Sequence, residues 1–203
     1  MGVSKSLTTS AVLTRYPEKE AHLKAIAGDL LQRAEGLNCP VVVADRFLTM
    51  DDEEDDEPDL NAFACGFRKS RRIVIYADLM EHFTDNAIRG VLAHEIAHIH
   101  HRHILKKLSW MALPWAGLMG VLQIGGSSGL TNFGIGMGIL ILFIRMISRR
   151  HELQADRQAA HWVGNDTMIE TIQSFGKDGV ASKLDELLST HPAHKFRIAA
   201  LQE

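Results

Sequence analysis

A run of 37 uncharged residues between Lys107 and Arg145 constrains the possible folds of this chain more than any other feature. A Gly/Ser segment at 125–129 divides the run into two arms, each about 25 Å long if helical. Two helices that are apolar on all sides are difficult to bury within a domain of 203 residues. The basic flanks favour insertion of this apolar hairpin (residues 108–147) into a membrane, across it or as a shallow hairpin. A buried helical hairpin, or an apolar surface that binds substrate or another subunit, is the soluble alternative.

The motif H-E-x-x-H at residues 94–98 is the strongest chemical signal in the sequence. Residues four apart lie on one face of a helix, so His94 and His98 can bind a single metal ion. Glu95 lies on the same turn, where its carboxylate can take a proton from a water molecule on that metal. Thr84 is the expected N-cap, and apolar residues keep helical spacing as far as Ile99. The segment therefore predicts a metal-binding helix that also carries a general base.

A second motif, E-x-x-x-D, follows the apolar hairpin. Glu152 and Asp156 are four residues apart and share one face of a predicted helix. A catalytic zinc requires three protein ligands and one open position, and Glu152 would supply the third ligand. Asp156 would then accept a hydrogen bond from a ligand histidine and fix the orientation of its ring. An ordinary solvated helix face would explain an isolated E-x-x-x-D, but the preceding H-E-x-x-H favours a metal site.

Four ordered motifs together resemble those of the HtpX-type zinc peptidases, a membrane-associated group of the gluzincins. They are N-A-F-A-x-G from Asn61, H-E-x-x-H, E-x-x-x-D, and a closing H-P-x-x-x-x-R-I-x-x-L from His191. The resemblance extends over roughly residues 20–203. HtpX-type proteins usually begin with two membrane-spanning helices, which the first forty residues of this chain do not resemble.

The resemblance implies a zinc-dependent endopeptidase that hydrolyses unfolded or membrane-derived polypeptides. It implies one Zn²⁺ per chain and assigns its ligands and the general base to His94, His98, Glu152 and Glu95. It also implies that His191 and Arg197 act near the scissile bond or hold the third-ligand helix. The imidazole of His191 could stabilise an oxyanion, and Arg197 could pair with a carboxylate such as Asp156. A His-Pro helix start and a surface arginine are the structural alternative.

The patterns as a whole predict a mostly helical α+β fold, with a gluzincin-like metallopeptidase domain, a small sheet and an inserted apolar hairpin. We expect one domain over residues 1–203. Its N-terminal part, at 17–107, carries the metal helix, and its C-terminal part, at 148–203, carries the third ligand. Residues 108–147, between these two parts, form the apolar hairpin.

Three short strands are predicted at 41–44, 61–67 and 72–77, after a helix at 17–35. In gluzincins an extended substrate adds to the exposed edge of the sheet near the metal helix. By resemblance, the residues at that edge are Asn61, Ala62 and Phe63. A purely structural β-hairpin is the alternative.

Charged and titratable residues outside these motifs favour simple explanations. Eight acids without a base lie between Asp51 and Asp59, as is typical of a solvated loop and without the spacing of a calcium site. No basic patch with interleaved aromatic residues indicates nucleic-acid binding. Two cysteines without metal-ligand spacing favour a reducing compartment. Three further histidines are predicted to be surface imidazoles, not a second metal site: His100, His101 and His103.

The expected partners are an extended or unfolded polypeptide and membrane lipid that contacts residues 108–147. Basic residues at both ends of the apolar hairpin place both ends on the cytosolic side of a membrane. Together with the HtpX-type resemblance, this implies an active site on the cytosolic face of a bacterial inner membrane. A soluble cytoplasmic peptidase, held latent by its N-terminal or acidic segment, is the alternative. A metal-stabilised membrane adaptor that binds unfolded segments without cleavage is the alternative function, and the presence of Glu95 favours the enzyme.

Overall fold

A computed structural model describes residues 16–45, 58–66, 70–124, 129–176 and 192–203. The described residues are mostly helical with one three-stranded sheet, as predicted. The elements in chain order are α1 (Pro17–Arg33), β1 (Val41–Ala44), β2 (Ala62–Cys65), β3 (Arg72–Tyr76), α2 (Ala77–His82), α3 (Asp85–His100), α4 (His103–Ile124), α5 (Gly129–Val163), α6 (Asn165–Ser174) and α7 (His194–Gln202).

The sheet is mixed and has the strand order β1-β3-β2. β1 runs parallel to β3, with Val41 opposite Ile73, and β2 runs antiparallel to β3, with Phe63 opposite Val74. β3 is the central strand, which explains why its last four residues are all buried and form a continuous apolar run. Within the described residues β2 pairs with β3 alone, so its other side is an open edge, where the sequence predicts one.

α3 packs against most other elements of the described fold, namely α1, β2, β3, α4, α5 and α6. Thr84 caps it as predicted, because its Oγ1 accepts a hydrogen bond of 3.1 Å from the Ala87 amide. One side of α3 is buried in the core, and Leu92 and Ile96 are fully covered there. His94 and His98 lie beside this buried side and are only partly exposed, which places both imidazoles where the core meets solvent.

α6 approaches α3 closely because position 90 carries no side chain. A Cβ atom on Gly90 would lie 1.9 Å from Oγ1 of Thr171. That hydroxyl is itself held by a 2.7 Å hydrogen bond, which it donates to the carbonyl of Thr167. The contact therefore brings the buried residues Met168 and Ile172 of α6 against the helix that carries the two histidines.

α5 differs from the arrangement that the sequence predicts. The sequence indicates an apolar arm ending near Ile144 and a separate helix that opens at Arg149. The structure contains instead one helix of 35 residues, Gly129–Val163. Arginines alone do not end a helix, and the junction contains neither Gly nor Pro. Glu152 is consequently joined to the apolar hairpin by continuous helix.

The apolar hairpin consists of most of α4 and the first half of α5, which pack against each other. Trp110 meets Phe143 edge to face, with ring centroids 6.2 Å apart. No helix among the described residues combines the length and the apolar character that a membrane crossing demands. The described outer surface is nevertheless rich in exposed large apolar side chains, namely Leu108, Trp110, Trp115, Met119, Ile135, Ile139, Ile141, Leu142 and Met146.

Candidate metal centre

Side chains from two helices converge on one point. His94 and His98 come from α3, and Glu152 comes from α5. The two Nε2 atoms are 3.0 Å apart, and each lies 3.4 Å from an oxygen of Glu152. Ligand atoms bound to a tetrahedral zinc at about 2.0–2.2 Å are roughly 3.3–3.6 Å from one another. Both nitrogen–oxygen separations lie in this range, and the nitrogen–nitrogen separation is about 0.3 Å shorter. Two imidazoles and one carboxylate in this arrangement therefore fit a single zinc ion, and they form a donor set that keeps one position for solvent.

Asp156 and Arg197 form a hydrogen-bonded pair on the side of His94 that faces away from the metal position. Oδ1 of Asp156 lies 2.9 Å from Nδ1 of His94, the ring atom that is not directed at the metal position. A proton on that Nδ1 leaves Nε2 free to bind a cation. Arg197 of α7 donates to both oxygens of Asp156, at 2.8 and 2.7 Å. The pair that the sequence led us to expect is present, and it joins α7 to α5.

The buried carboxylates determine where a proton resides among the ligands. Burial opposes the charged form of His94, but its contacts with Asp156 and Glu152 outweigh burial and raise its pKa to about 10. Burial, reinforced by the neighbouring His94, lowers the pKa of His98 to about 3. His94 is thus an imidazolium whose second proton, on Nε2, balances part of the negative charge, and a metal ion that binds there at neutral pH must displace that proton.

A cavity of about 320 Å³ opens beside the ligands and contains Glu95. The open edge of the sheet reaches the same space through Asn61 and Ala62. Phe63 does not line this cavity. It is 38% exposed, and its ring meets that of Tyr76 edge to face. The cavity therefore brings together a candidate general base, two metal ligands and part of the predicted substrate edge.

α7 contributes two residues to this cavity, Arg197 and His194. Nδ1 of His194 lies 3.0 Å from the carbonyl oxygen of Gly176. The sequence draws attention to His191 instead, which lies outside the described residues. His194 carries no motif of its own, so only the docking of α7 reveals its proximity to the site.

His103 corrects a prediction. The sequence suggests a surface imidazole at this position, whereas His103 is 3% exposed and its Nδ1 lies 2.8 Å from Nδ1 of His98. The chain reverses at Arg102, which adopts a left-handed φ of 55°, and α4 therefore begins by turning back towards α3. Burial lowers the pKa of His103 to about 4, so this imidazole is neutral at physiological pH. Helical periodicity cannot reveal a reversal at a non-glycine residue.

The family model described as Peptidase family M48 matches residues 41–203, which include every residue of this centre. The chain belongs to peptidase family M48. The HtpX-type resemblance predicted from the sequence is confirmed by two relatives. The M48 chain is 30% identical over 183 residues to Protease HtpX of Vibrio atlanticus, covering 72% of this chain and 63% of the relative. It is 31% identical over 175 residues to a Protease HtpX homolog of Neisseria meningitidis, covering 71% and 63% respectively.

The M48 chain spans 63% of the length of each of these curated relatives. Among solved structures it is similar to Ste24p of S. mikatae, with a TM-score of 0.63 at 20% sequence identity. That likeness covers 92% of this chain and 50% of the other, and it concerns the fold.

Proposed function

We propose that this M48 chain is a zinc-dependent endopeptidase that hydrolyses peptide bonds in unfolded or membrane-derived polypeptides. The observation that carries the proposal is the convergence of His94, His98 and Glu152, two of which line the same cavity as Glu95. Zinc bound by these ligands would supply Lewis-acid chemistry, which activates water and polarises a scissile carbonyl. Membership of a peptidase family supports this chemistry over that of other zinc sites.

The side chains of the centre take complementary roles in this proposal. Glu95 accepts a proton from the attacking water and returns it to the leaving amine. Asp156 orients His94, and Arg197 keeps the Asp156 carboxylate ionised and in place. His191 retains its proposed role as an oxyanion donor on the strength of the motif alone.

β2 supports an extended substrate. Its open side has unpaired backbone groups among the described residues, and Asn61 and Ala62 at its start already line the cavity of Glu95. A peptide that adds to this edge as a further strand would pass the metal ligands with its backbone exposed to attack. Folded domains rarely present such a segment, so unfolded chains are the proposed substrate class.

We also propose that the apolar hairpin contacts the inner membrane of a bacterium, across it or as a shallow hairpin, with the centre on the cytosolic side. Nine large apolar side chains are exposed between residues 108 and 146. This is more exposed apolar surface than a soluble monomer usually has in one region. In this arrangement the cytosolic end of the hairpin is flanked by basic residues that can reach lipid headgroups, namely Lys106, Lys107, Arg145 and Arg149.

Cleavage of casein by the zinc-loaded protein tests the peptidase proposal. Glu95→Gln should lower the rate by about 10²–10⁴-fold because the general base is lost while the metal ligands remain. A chelator should abolish wild-type cleavage, and added zinc should restore it. Glu81→Gln, a surface substitution at the Lys19–Glu81 pair, is the matched control and should cleave like wild type. Equal, chelator-insensitive activity of wild type and Glu95→Gln would refute the proposal, whereas casein binding without cleavage would indicate an adaptor.

Carbonate extraction of membranes tests the proposed location. The wild-type protein should stay in the membrane pellet and require detergent for release. Charge introduced at two exposed positions, Ile135→Glu with Ile139→Glu, should shift the protein towards the soluble fraction. Complete recovery of the wild type in the carbonate supernatant would count against insertion and favour the soluble, latent peptidase.

A further inference from the structure

We infer that His103 and Gln154 form a hydrogen-bonded chain that orients His98 for metal binding. His103 is then a positioning residue, which acts on the metal only through the ligand. The inference rests on the proposed function because the metal centre belongs to it. Neither residue belongs to the motifs that define the centre.

The chain joins three helices through short polar contacts. Nδ1 of His98 on α3 lies 2.8 Å from Nδ1 of His103, the first residue of α4. Nε2 of His103 lies 3.1 Å from Oε1 of Gln154 on α5. The amide nitrogen of Gln154 is in turn 3.4 Å from Nδ1 of His101. Gln154 follows the ligand Glu152 by two residues, so both ends of the chain are tied to helices that carry ligands.

One assignment of protons is compatible with all three contacts of this hydrogen-bonded chain. His98 must keep Nε2 unprotonated to bind a cation, so its proton resides on Nδ1 and is donated to Nδ1 of His103. His103 then carries its own proton on Nε2 and donates it to Oε1 of Gln154. The amide nitrogen of Gln154 is left to donate to His101. The opposite assignment would place a proton on Nε2 of His98, between the ligands, and block the metal.

Packing holds His103 in this orientation. Its ring is almost fully buried and stacks on His151, with centroids 4.3 Å apart and planes inclined by 7°. The two ligand imidazoles therefore have separate supports: His94 is contacted by Asp156, and His98 by the imidazole of His103 at the start of α4. The first turn of α4, which leads into the hairpin, therefore helps to hold the metal ligand His98 in place.

Substitutions at His103 distinguish a role as hydrogen-bond acceptor from a role in packing alone. His103→Phe keeps an aromatic ring beside His151 but removes the acceptor, whereas His103→Asn retains an acceptor oxygen close to the position of Nδ1. We expect His103→Phe to weaken zinc binding by about 10–100-fold, measured by competition with a chromophoric chelator. His103→Asn should restore most of the lost affinity. His100→Phe, in the same histidine-rich segment but without contact to His98, is the matched control and should bind zinc like wild type.

Two further readouts distinguish positioning from a structural role. The absorption bands of the cobalt-substituted protein report ligand geometry and should change in His103→Phe but not in His100→Phe. Thermal unfolding in chelator should be similar for His103→Asn and wild type, and the zinc-induced rise in Tm should be smaller for His103→Phe. Should His103→Phe not fold, the exposed Gln154 provides the same test: Gln154→Leu should weaken zinc binding and Gln154→Glu should not.

The possible results separate this inference from the proposed function. Wild-type protein that binds no zinc would overturn both. Wild type that binds zinc, together with His103→Phe of unchanged affinity and cobalt spectrum, would overturn the positioning role and leave the peptidase proposal intact. Equal losses in His103→Phe and His103→Asn would likewise contradict a hydrogen-bonding role.

Discussion

The two halves of α5 lie in opposite surroundings, although they form one continuous helix. In the first half Ile135 and Ile139 are 60% and 64% exposed, while in the second half Asp156 is 1% exposed. This inverts the usual placement of apolar and charged residues in a soluble domain. The charge is tolerated because Arg197 and His94 are its partners, and the exposed apolar face is consistent with the membrane contact proposed above.

This contrast indicates that the two parts of the molecule depend on different interactions. The metal-bearing part, which we define as α1, the sheet, α2, α3, α6, α7 and the second half of α5, has a shared core and buried ion pairs. The apolar hairpin has most of its large described side chains outside that core. Unfolding free energies should therefore respond strongly to changes in the metal-bearing part and weakly to similar changes in the hairpin.

Arg197→Met should give the largest loss of stability. It leaves the buried carboxylate of Asp156 without its two-pronged partner, and breaking a buried pair typically costs about 3–5 kcal/mol. Chemical denaturation in the presence of chelator measures this cost without a contribution from metal. Arg89→Met, at the more exposed pair with Asp29, is the control and should cost less than about 1 kcal/mol. Similar losses in both variants would mean that burial does not distinguish the two pairs.

Two leucine truncations compare the halves of the molecule directly. Leu92 is fully buried on α3, so Leu92→Ala should lower the free energy of unfolding by about 3 kcal/mol. Leu142 is 48% exposed on the apolar hairpin, so Leu142→Ala should change it by less than about 0.5 kcal/mol in detergent. Denaturation of both variants under the same conditions provides the measurement. A large effect of Leu142→Ala would show that the hairpin packs against more of the protein than its exposure indicates.

A pair of glycine substitutions makes the same comparison with a single added methyl group. Gly90→Ala places its Cβ against Thr171 and should destabilise the fold by about 2–3 kcal/mol, because α3 and α6 must move apart. At Gly138, on the apolar hairpin, an added Cβ meets nothing within 4 Å. Gly138→Ala should therefore stabilise its helix by about 0.5–1 kcal/mol. Thermal unfolding of the two variants should shift in opposite directions, and a neutral Gly90→Ala would contradict the tight contact.

Among the stability losses expected in the metal-bearing part, the loss caused by acid should be the smallest. Burial opposes the ionised form of Asp156, but Arg197 and His94 outweigh burial and lower its pKa from 3.8 to about 2. Because the pKa is lower in the folded protein than in the unfolded chain, the carboxylate stabilises the fold fully above about pH 4. This stabilisation, about 2 kcal/mol, is lost as the pH falls from about 4 to about 2. Stability measured in chelator against pH should fall less steeply over this window in Asp156→Asn than in wild type.

Local spacing along the sequence identifies much of the site. In both H-E-x-x-H and E-x-x-x-D the first and last residues are four positions apart. Helix geometry alone places the members of each pair on one face. The Thr84 cap and the bounds of β1 at Val41–Ala44 follow from equally local patterns, whereas the open edge at β2 is expected only from the resemblance to gluzincins. Such features can be read along the chain because their partners lie within a turn or within one strand.

Tertiary packing decided the features that depend on distant partners. Glu152 meets His94 and His98 only because α5 lies against α3, and Gly90 must be a glycine only because α6 crosses there. His103 is buried because the backbone reverses at Arg102 and returns it to His98. Spacing describes one helix at a time, whereas the orientation of a metal ligand is set by the helices that pack around it.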